Sequence, residues 1–307
     1  MTQSTTPDAA TAATNGAGKD TAPRLEVVSV AVAGGSLADD LRAIKMVWKR
    51  ELIRYSRNRI RIVTSLAQPL LFLFVLGTGL SSLVSAGSGP HVNFKTFIFP
   101  GVIAMTILFT AIFSAVSIVW DREFGFLREM MVAPVRRGAL VTGKTLGGAT
   151  VATCQGVIML ALSPLVGVSY NLLLIVEMLL LMAVCALMLT AIGVVAASRM
   201  QQVESFQVVM QLFVLPMFFL AGAIFPLSGL PTWLSILTKI DPLAYIVDPM
   251  RRAVFDHLKL SKAAIAKFSP GLHWGSFRLP VPLELALVLA LTLACLGLAV
   301  AMFSKQD

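Results

Sequence analysis

Six long apolar stretches govern what this chain can become. A helix needs about 20 mostly apolar residues to cross a hydrocarbon core about 30 Å thick. Residues 62–85, 97–120, about 144–168, 172–197, 206–228 and 283–303 each meet that requirement. The start of the third is interrupted by Gly147 and Gly148. Only 13% of the 307 residues are charged, 57% are hydrophobic and the mean hydropathy is +0.82, whereas a soluble domain carries about 25% charged residues. The predicted fold class is therefore all-α: a polytopic membrane protein with six transmembrane helices.

The basic residues order these stretches. Arg42, Lys45, Lys49, Arg50, Arg54, Arg57, Arg59 and Arg61 precede the first. Arg122, Arg128, Arg136, Arg137 and Lys144 follow the second. By the positive-inside rule these segments face the cytoplasm, and both termini with them. Lys95 and the basic residues of 229–280 fall on the other side, a dissent softened because longer segments obey the rule less strictly. The net charge of +9 is thus read as topology and contact with anionic headgroups rather than nucleic-acid binding. Residues 1–36, rich in Thr, Ala, Gly and Ser, predict a disordered cytoplasmic tail. In 37–61, Leu37, Leu41, Ile44, Val47, Trp48, Leu52 and Tyr55 recur at helical spacing among basic residues, which predicts an amphipathic helix in the membrane interface. Residues 62–307 are expected to form a single six-helix transmembrane domain. Cys154, Cys185 and Cys295 lie in apolar stretches and read as small core residues.

Residues 138–145, GALVTGKT, match the phosphate-loop pattern G-x-x-x-x-G-K-[ST]. That loop works where a buried strand enters a glycine-rich turn and a helix, with a second acidic residue to hold magnesium. Here the residues before it are VAPVRR and those after it run into the bilayer. No ATPase site, no catalytic residue and no metal site is expected. His91, His257 and His273 are too scattered for zinc. Lys144 is expected to snorkel to the headgroups, and Gly143, Gly147 and Gly148 to permit close helix approach.

The preceding segment, 121–137, reads DREFGFLREMMVAPVRR. Asp121 is expected to cap a helix start, Phe124, Leu127 and Met131 to share one face, and Pro134 to end the helix. The sequence around it resembles the cytoplasmic loop of type-2 ABC exporter permeases, especially the drug-resistance and polysaccharide-export branch. The resemblance rests on Arg122, Glu123, Phe124, Gly125, Leu127, Glu129, Ala133, Pro134, Gly143 and Lys144. It implies a coupling helix, with Arg122, Glu123, Phe124, Leu127, Arg128 and Glu129 meeting a separate ATP-binding subunit. A second region, 222–255, is similar to the same family at Pro226, Leu230, Pro231, Trp233, Leu234, Pro242, Leu243, Tyr245, Arg251 and Arg252. It implies short re-entrant helices before the last span, with Pro226, Pro231, Trp233, Pro242 and Tyr245 at an outer gate. Pro at 226, 231, 242 and 249 is expected to break the helix there, and Trp233 and Tyr245 suit the headgroup level. The N-terminal tail and the segment 256–280 depart from the family pattern.

The resemblance further implies a multi-pass protein of a bacterial inner membrane. It would pair with a second permease copy, identical or not, and with two ATP-binding subunits that hold ATP and magnesium. This chain itself would carry no cofactor. The apolar spans suit an amphiphilic cargo such as a drug, a lipid or a lipid-linked glycan. Gln68, Pro69, Glu177 and Gln211 are candidates for the substrate path: Pro69 would kink the first span and free carbonyls near Gln68, and Glu177 is the ionisable group that stands out within a span. The rival reading is an ion-coupled secondary transporter using Glu177.

Overall fold

The computed structural model describes residues 37–81, 94–125, 136–227, 229–258, 269–274 and 277–304. The tail 1–36 and Leu127, Arg128 and Glu129 lie outside them. The regular elements of the described residues are helices, apart from a two-stranded antiparallel hairpin.

Helix α1 (Leu37–Arg57) is followed, after a cap by the Asn58 side chain on the Arg61 N–H, by α2 (Arg59–Gly79). Pro69 lies inside α2, and three residues later the helix widens to a π-turn over Phe72–Leu76. Proline removes one backbone donor and crowds the preceding turn, so local rewinding is the expected response. Helix α3 (Phe94–Glu123) carries a one-residue break at Ala115. Then come α4 (Arg137–Leu160), α5 (Leu172–Arg199) and α6 (Val203–Leu220). Two short helices follow, α7 (Thr232–Ile240) and α8 (Ala244–His257), then the strands β1 (His273–Trp274) and β2 (Phe277–Arg278), and last α9 (Val281–Ser304).

Among the described residues five helices are long and apolar enough to cross a membrane: α2, α3, α5, α6 and α9. Helix α4 has the length, 24 residues, but is diluted by Arg137, Lys144, Gln155 and several Gly and Thr. It compensates by position. It packs against α1, α3, α5 and α9, so its polar groups face protein. Its boundaries also differ from the apolar stretch in the sequence. Gly143, Gly147 and Gly148 do not delay the helix; they are its packing face. A Cβ at Gly143 would stand 2.9 Å from the Val47 Cβ, and one at Gly147 would stand 2.8 Å from the Glu51 Cβ, both on α1. A Cβ at Gly148 would press on Ser114 of α3 and Thr190 of α5. Small residues let helices approach to where dispersion between backbones is gained, and this outweighs their poor helix propensity.

Helix α3 is the central helix: 67% of its most apolar 18-residue window is buried, against 22% for α2 and α6 and 17% for α9. The apolar outer faces of α2, α6 and α9 are therefore turned to lipid or to another chain. Helix α1 divides its apolar face. Val47 is buried, Trp48 donates through Nε1 to Thr150 Oγ1 at 3.0 Å, and Ile44 stands over Gly143, all against α4. Leu37 and Leu41 remain exposed. Pro249, expected to interrupt the chain, sits inside α8, as Pro100 and Pro216 sit inside α3 and α6. The loss of one hydrogen bond is outweighed by the burial of nearly the whole of α8.

Candidate functional site: a polar collar at the ends of α3 and α4

Residues 126–135 leave α3 and return at α4, so the ends of these two helices are the stems of that connection. Asp121 does not start a helix. It lies in the last turn of α3, which Phe124 and Gly125 close, Gly125 in the left-handed region at φ 79°. A residue with a Cβ would strain there, which is why glycine so often ends helices. Asp121 is instead the centre of an ion-pair cluster. Lys144 of α4 binds its Oδ2, and Arg50 of α1 reaches the same oxygen at 3.2 Å. Lys144 is only 7% exposed and Asp121 8%. The expectation that Lys144 snorkels to headgroups is thus overturned. The side chain turns inward because a carboxylate and the Ser117 hydroxyl, 3.4 Å away, wait there, and an ammonium leaves water only when paired.

The neighbours of Asp121 reach the ends of other helices. Arg122 Nη1 donates to the carbonyls of Met200 (2.8 Å), Ser198 (3.1 Å) and Ala197 (3.4 Å), at the C-terminus of α5. Glu123 Oε2 accepts the Val203 N–H at 2.9 Å, at the first turn of α6. On the other stem, Arg137 Nη1 donates to Phe303 O (3.1 Å) and Ser304 O (3.0 Å), closing α9, and Arg136 pairs with Asp40 of α1 at 3.4 Å. Each charge meets the helix end of matching polarity: cations at orphan carbonyls, an anion at an orphan N–H. The collar therefore joins α1, α3, α4, α5, α6 and α9. Phe124, by contrast, is 67% exposed.

Above the collar, Gln155 of α4 is fully buried and ties α1 to α2. It bonds the Tyr55 hydroxyl through Oε1, and donates through Nε2 to Ile62 O at 3.1 Å and to Ser65 Oγ at 2.5 Å.

At the opposite end of the bundle a second charged cluster holds α8. Arg252 pairs with Asp248 one turn earlier, with Glu284 of α9 at 3.2 Å, and donates to Leu279 O at 3.0 Å. Asp248 also accepts the Leu272 N–H at 3.2 Å. Arg251, 2% exposed, donates to Gly222 O and lies 4.4 Å from the Phe97 ring centre. Glu284, one residue inside the sixth apolar stretch, is buried in this cluster together with Asp248. It carries no local signal in the sequence, because its partner Arg252 lies 32 residues away. Gly271 is left-handed at φ 82° and seats two guanidiniums: a Cβ there would stand 2.6 Å from Arg252 Nη2 and 2.8 Å from Arg278 Nε.

The other residues singled out in the sequence are dispersed. Tyr245 is buried, donates to Lys239 O at 2.7 Å and accepts from Trp274 Nε1 at 3.1 Å. Trp233 is 65% exposed, Pro231 is exposed at the start of α7, and Pro226 and Pro242 are half-buried. Gln68 of α2 and Gln211 of α6 both lie on exposed faces, and Pro69 is buried. These two helices meet where the Phe72 and Phe218 rings cross edge to face at 6.0 Å. Glu177 is exposed on α5, which leaves the ion-coupled reading without a buried carboxylate at that position. Cys154, Cys185 and Cys295 are free thiols. Among the described residues no group of three or more His, Cys, Asp and Glu side chains could hold a metal ion.

The ABC-2 type transporter family model matches residues 42–255, from α1 to α8 and through the whole connection between α3 and α4. Among similar proteins, one named as a transport permease, ycf38, from Cyanophora paradoxa is 27% identical over 208 residues, covering 66% of this chain and 71% of its own. Nodulation protein J of Rhizobium leguminosarum bv. viciae is 27% identical over 208 residues, 67% of this chain and 79% of its own. A protein of Escherichia coli (strain K12) named as a multidrug ABC transporter permease, YbhR, is 28% identical over 164 residues, 52% of this chain and 44% of its own. With a family match over most of its length, multiple membrane-crossing helices and a charged collar at the connection between α3 and α4, this chain belongs to the ABC-2 type transporter family and is a membrane permease subunit of an ABC transporter.

Proposed function

We propose that the chain is the permease of an ATP-driven exporter, crossing a bacterial inner membrane six times with both termini in the cytoplasm. Helix α4 supplies the third of the six crossings, beside the five more apolar ones, and α1 lies in the cytoplasmic interface. Residues 126–135 form the contact with an ATP-binding subunit. Phe124, Leu127, Arg128 and Glu129 meet that subunit, and Arg122 and Glu123 stand at its stem. Two ATP-binding subunits, which hold ATP and magnesium, serve a pair of permease copies. Helices α7 and α8 are re-entrant, each shorter than a crossing, and Pro226, Pro231, Trp233, Pro242 and Tyr245 line the outer gate.

The single observation that carries this reading is the convergence of six helices on the two stems of 126–135. A connection with no mechanical task has no need to gather the ends of α1, α5, α6 and α9 around it. The exposed faces of α2 and α6, with Gln68 and Gln211, suit a path formed between two copies. An amphiphilic cargo, whether drug, lipid or lipid-linked glycan, suits a path with few fixed charges, and the name of the E. coli relative, a multidrug permease, points the same way.

The test is recovery of the tagged full chain in mild detergent, with co-purifying subunits identified and counted. Two ATP-binding subunits per two permease copies is the expected result. A chain that purifies without such a subunit, or labelling that places Phe124 on the exterior of the cell, would overturn the proposal.

A further inference from the structure

We infer that the Asp121–Lys144 ion pair makes the two stems of residues 126–135 move as one body, and that Arg122, Glu123 and Arg137 pass the movement to the ends of α5, α6 and α9. Arg122 and Glu123 are then positioning residues, not partner contacts. The inference rests on the proposed function only for its transport readout.

The pair has properties that a surface pair lacks. Arg42 and Asp39 also stand within 3.3 Å, but both are solvated, and such a pair separates at almost no cost. Asp121 and Lys144 are both nearly inaccessible to water. Sliding one stem past the other would part Lys144 from the carboxylate it pairs with and strand its ammonium in a medium of low polarity, where the attraction between opposite charges is strongest. The stems therefore have one favourable register. Helix α4 is also held closely on the face that carries its glycines. Gly143 and Gly147 are pressed to α1, and Gly148 to α3 and α5, and close-packed surfaces transmit displacement without absorbing it.

The exits from the stems are equally direct. The α3 stem holds the C-terminus of α5 through Arg122 and the N-terminus of α6 through Glu123. The α4 stem holds the C-terminus of α9 through Arg137. Arg50, on the same carboxylate as Lys144, brings in α1. A push on 126–135 thus has one entry and four exits, all made by side chains adjoining the loop.

The test uses the double variant Asp121→Asn/Lys144→Met, which removes both charges and leaves neither buried alone. Arg50 loses Asp121 but keeps Glu51 Oε1 at 3.4 Å and is 45% exposed at the side chain. Nitroxides are attached at Phe124→Cys and Leu146→Cys in the full chain, with Cys154, Cys185 and Cys295 replaced by Ala. The parent should give one narrow distance distribution and the double variant a broadened or split one. Lys144→Arg alone, which keeps the charge, should keep it narrow. An unchanged width in the double variant overturns the inference, whether or not an ATP-binding subunit is ever found.

Where that subunit is present, transport per ATP hydrolysed should fall by about tenfold in the double variant, the scale of a single coupling interaction, with subunit association unchanged. Full transport at normal ATP consumption would overturn the inference too. So would an Arg122→Gln variant that loses the subunit while its nitroxide distribution stays narrow, because Arg122 would then be a contact. Failure of the parent to bind any ATP-binding subunit counts instead against the proposed function, and the nitroxide measurement still decides the role of the pair.

Discussion

The two ends of the bundle both bury charge, but they spend it differently. At the 126–135 end, Asp121, Lys144, Arg50, Arg122, Glu123 and Arg137 reach between helices far apart in sequence. At the other end, Arg252, Asp248 and Arg251 all sit on α8, and they meet Glu284, the Phe97 ring and the backbone of Gly222, Leu272 and Leu279. The first cluster joins six helices; the second fixes α8 against the hairpin and the start of α9. A buried ion pair contributes little net stability, because the cost of leaving water nearly cancels the attraction. Its value lies in specifying geometry. Here the geometry specified is global at one end and local at the other.

The largest test of that contrast is Asp121→Ala. It leaves Lys144 buried without a carboxylate, and a broken buried pair costs about 3–5 kcal/mol. Thermal unfolding in detergent should show the loss. Lys144→Met should cost less, since Asp121 keeps Arg50. The reverse order would mean that Arg50, not Lys144, is the principal partner. Glu284→Gln should be milder than either, because Arg252 keeps Asp248.

Next in size are two glycines, one at each end. A Cβ at Gly101 would collide with the backbone of Ala223, which cannot rotate away, whereas one at Gly148 meets the Ser114 hydroxyl and a Thr190 methyl, which are side chains. Overpacking of this kind costs about 1–3 kcal/mol, and Gly101→Ala should lie above Gly148→Ala in that range. Equal losses would show that the inner packing is as rigid as a backbone contact.

A smaller effect is expected for Arg122→Ala, which frees the three carbonyls at the end of α5. Hydrogen bonds to a charged donor are worth about 1.5–3 kcal/mol each when buried, but these groups are only partly buried, so the loss should fall below that of Asp121→Ala. Hydrogen exchange should rise at the last turn of α5 and not in α8. The smallest is Glu177→Gln, which should leave stability and transport unchanged, since the carboxylate is exposed on α5. A transport defect that follows the proton gradient would restore the ion-coupled reading.

Much was legible without coordinates. The apolar runs mark both ends of α3, α5 and α9 and the starts of α2 and α6 to within about three residues, because hydrocarbon burial is a property of composition and length, but the run 206–228 overshoots α6, which ends at Leu220. Helix α4 was harder. Its glycines, Gln155 and Lys144 dilute the apolar signal, and their partners sit on four other helices. The same reason hides the collar. Asp121 looks like a cap from its neighbours in sequence, and Lys144 like a snorkelling lysine, until the fold sets them side by side. Glu284 and Arg252 are likewise 32 residues apart and give no local sign of pairing.

What the sequence determined by itself is therefore the medium: a chain this apolar must put helices into lipid, and the order of its basic residues suggests which ends face the cytoplasm. What only the tertiary structure decided is where the few charges go. Apolar periodicity is a local property that each helix carries alone. The free energy of a buried charge depends almost entirely on what lies within a few ångströms of it, and those neighbours are chosen by packing.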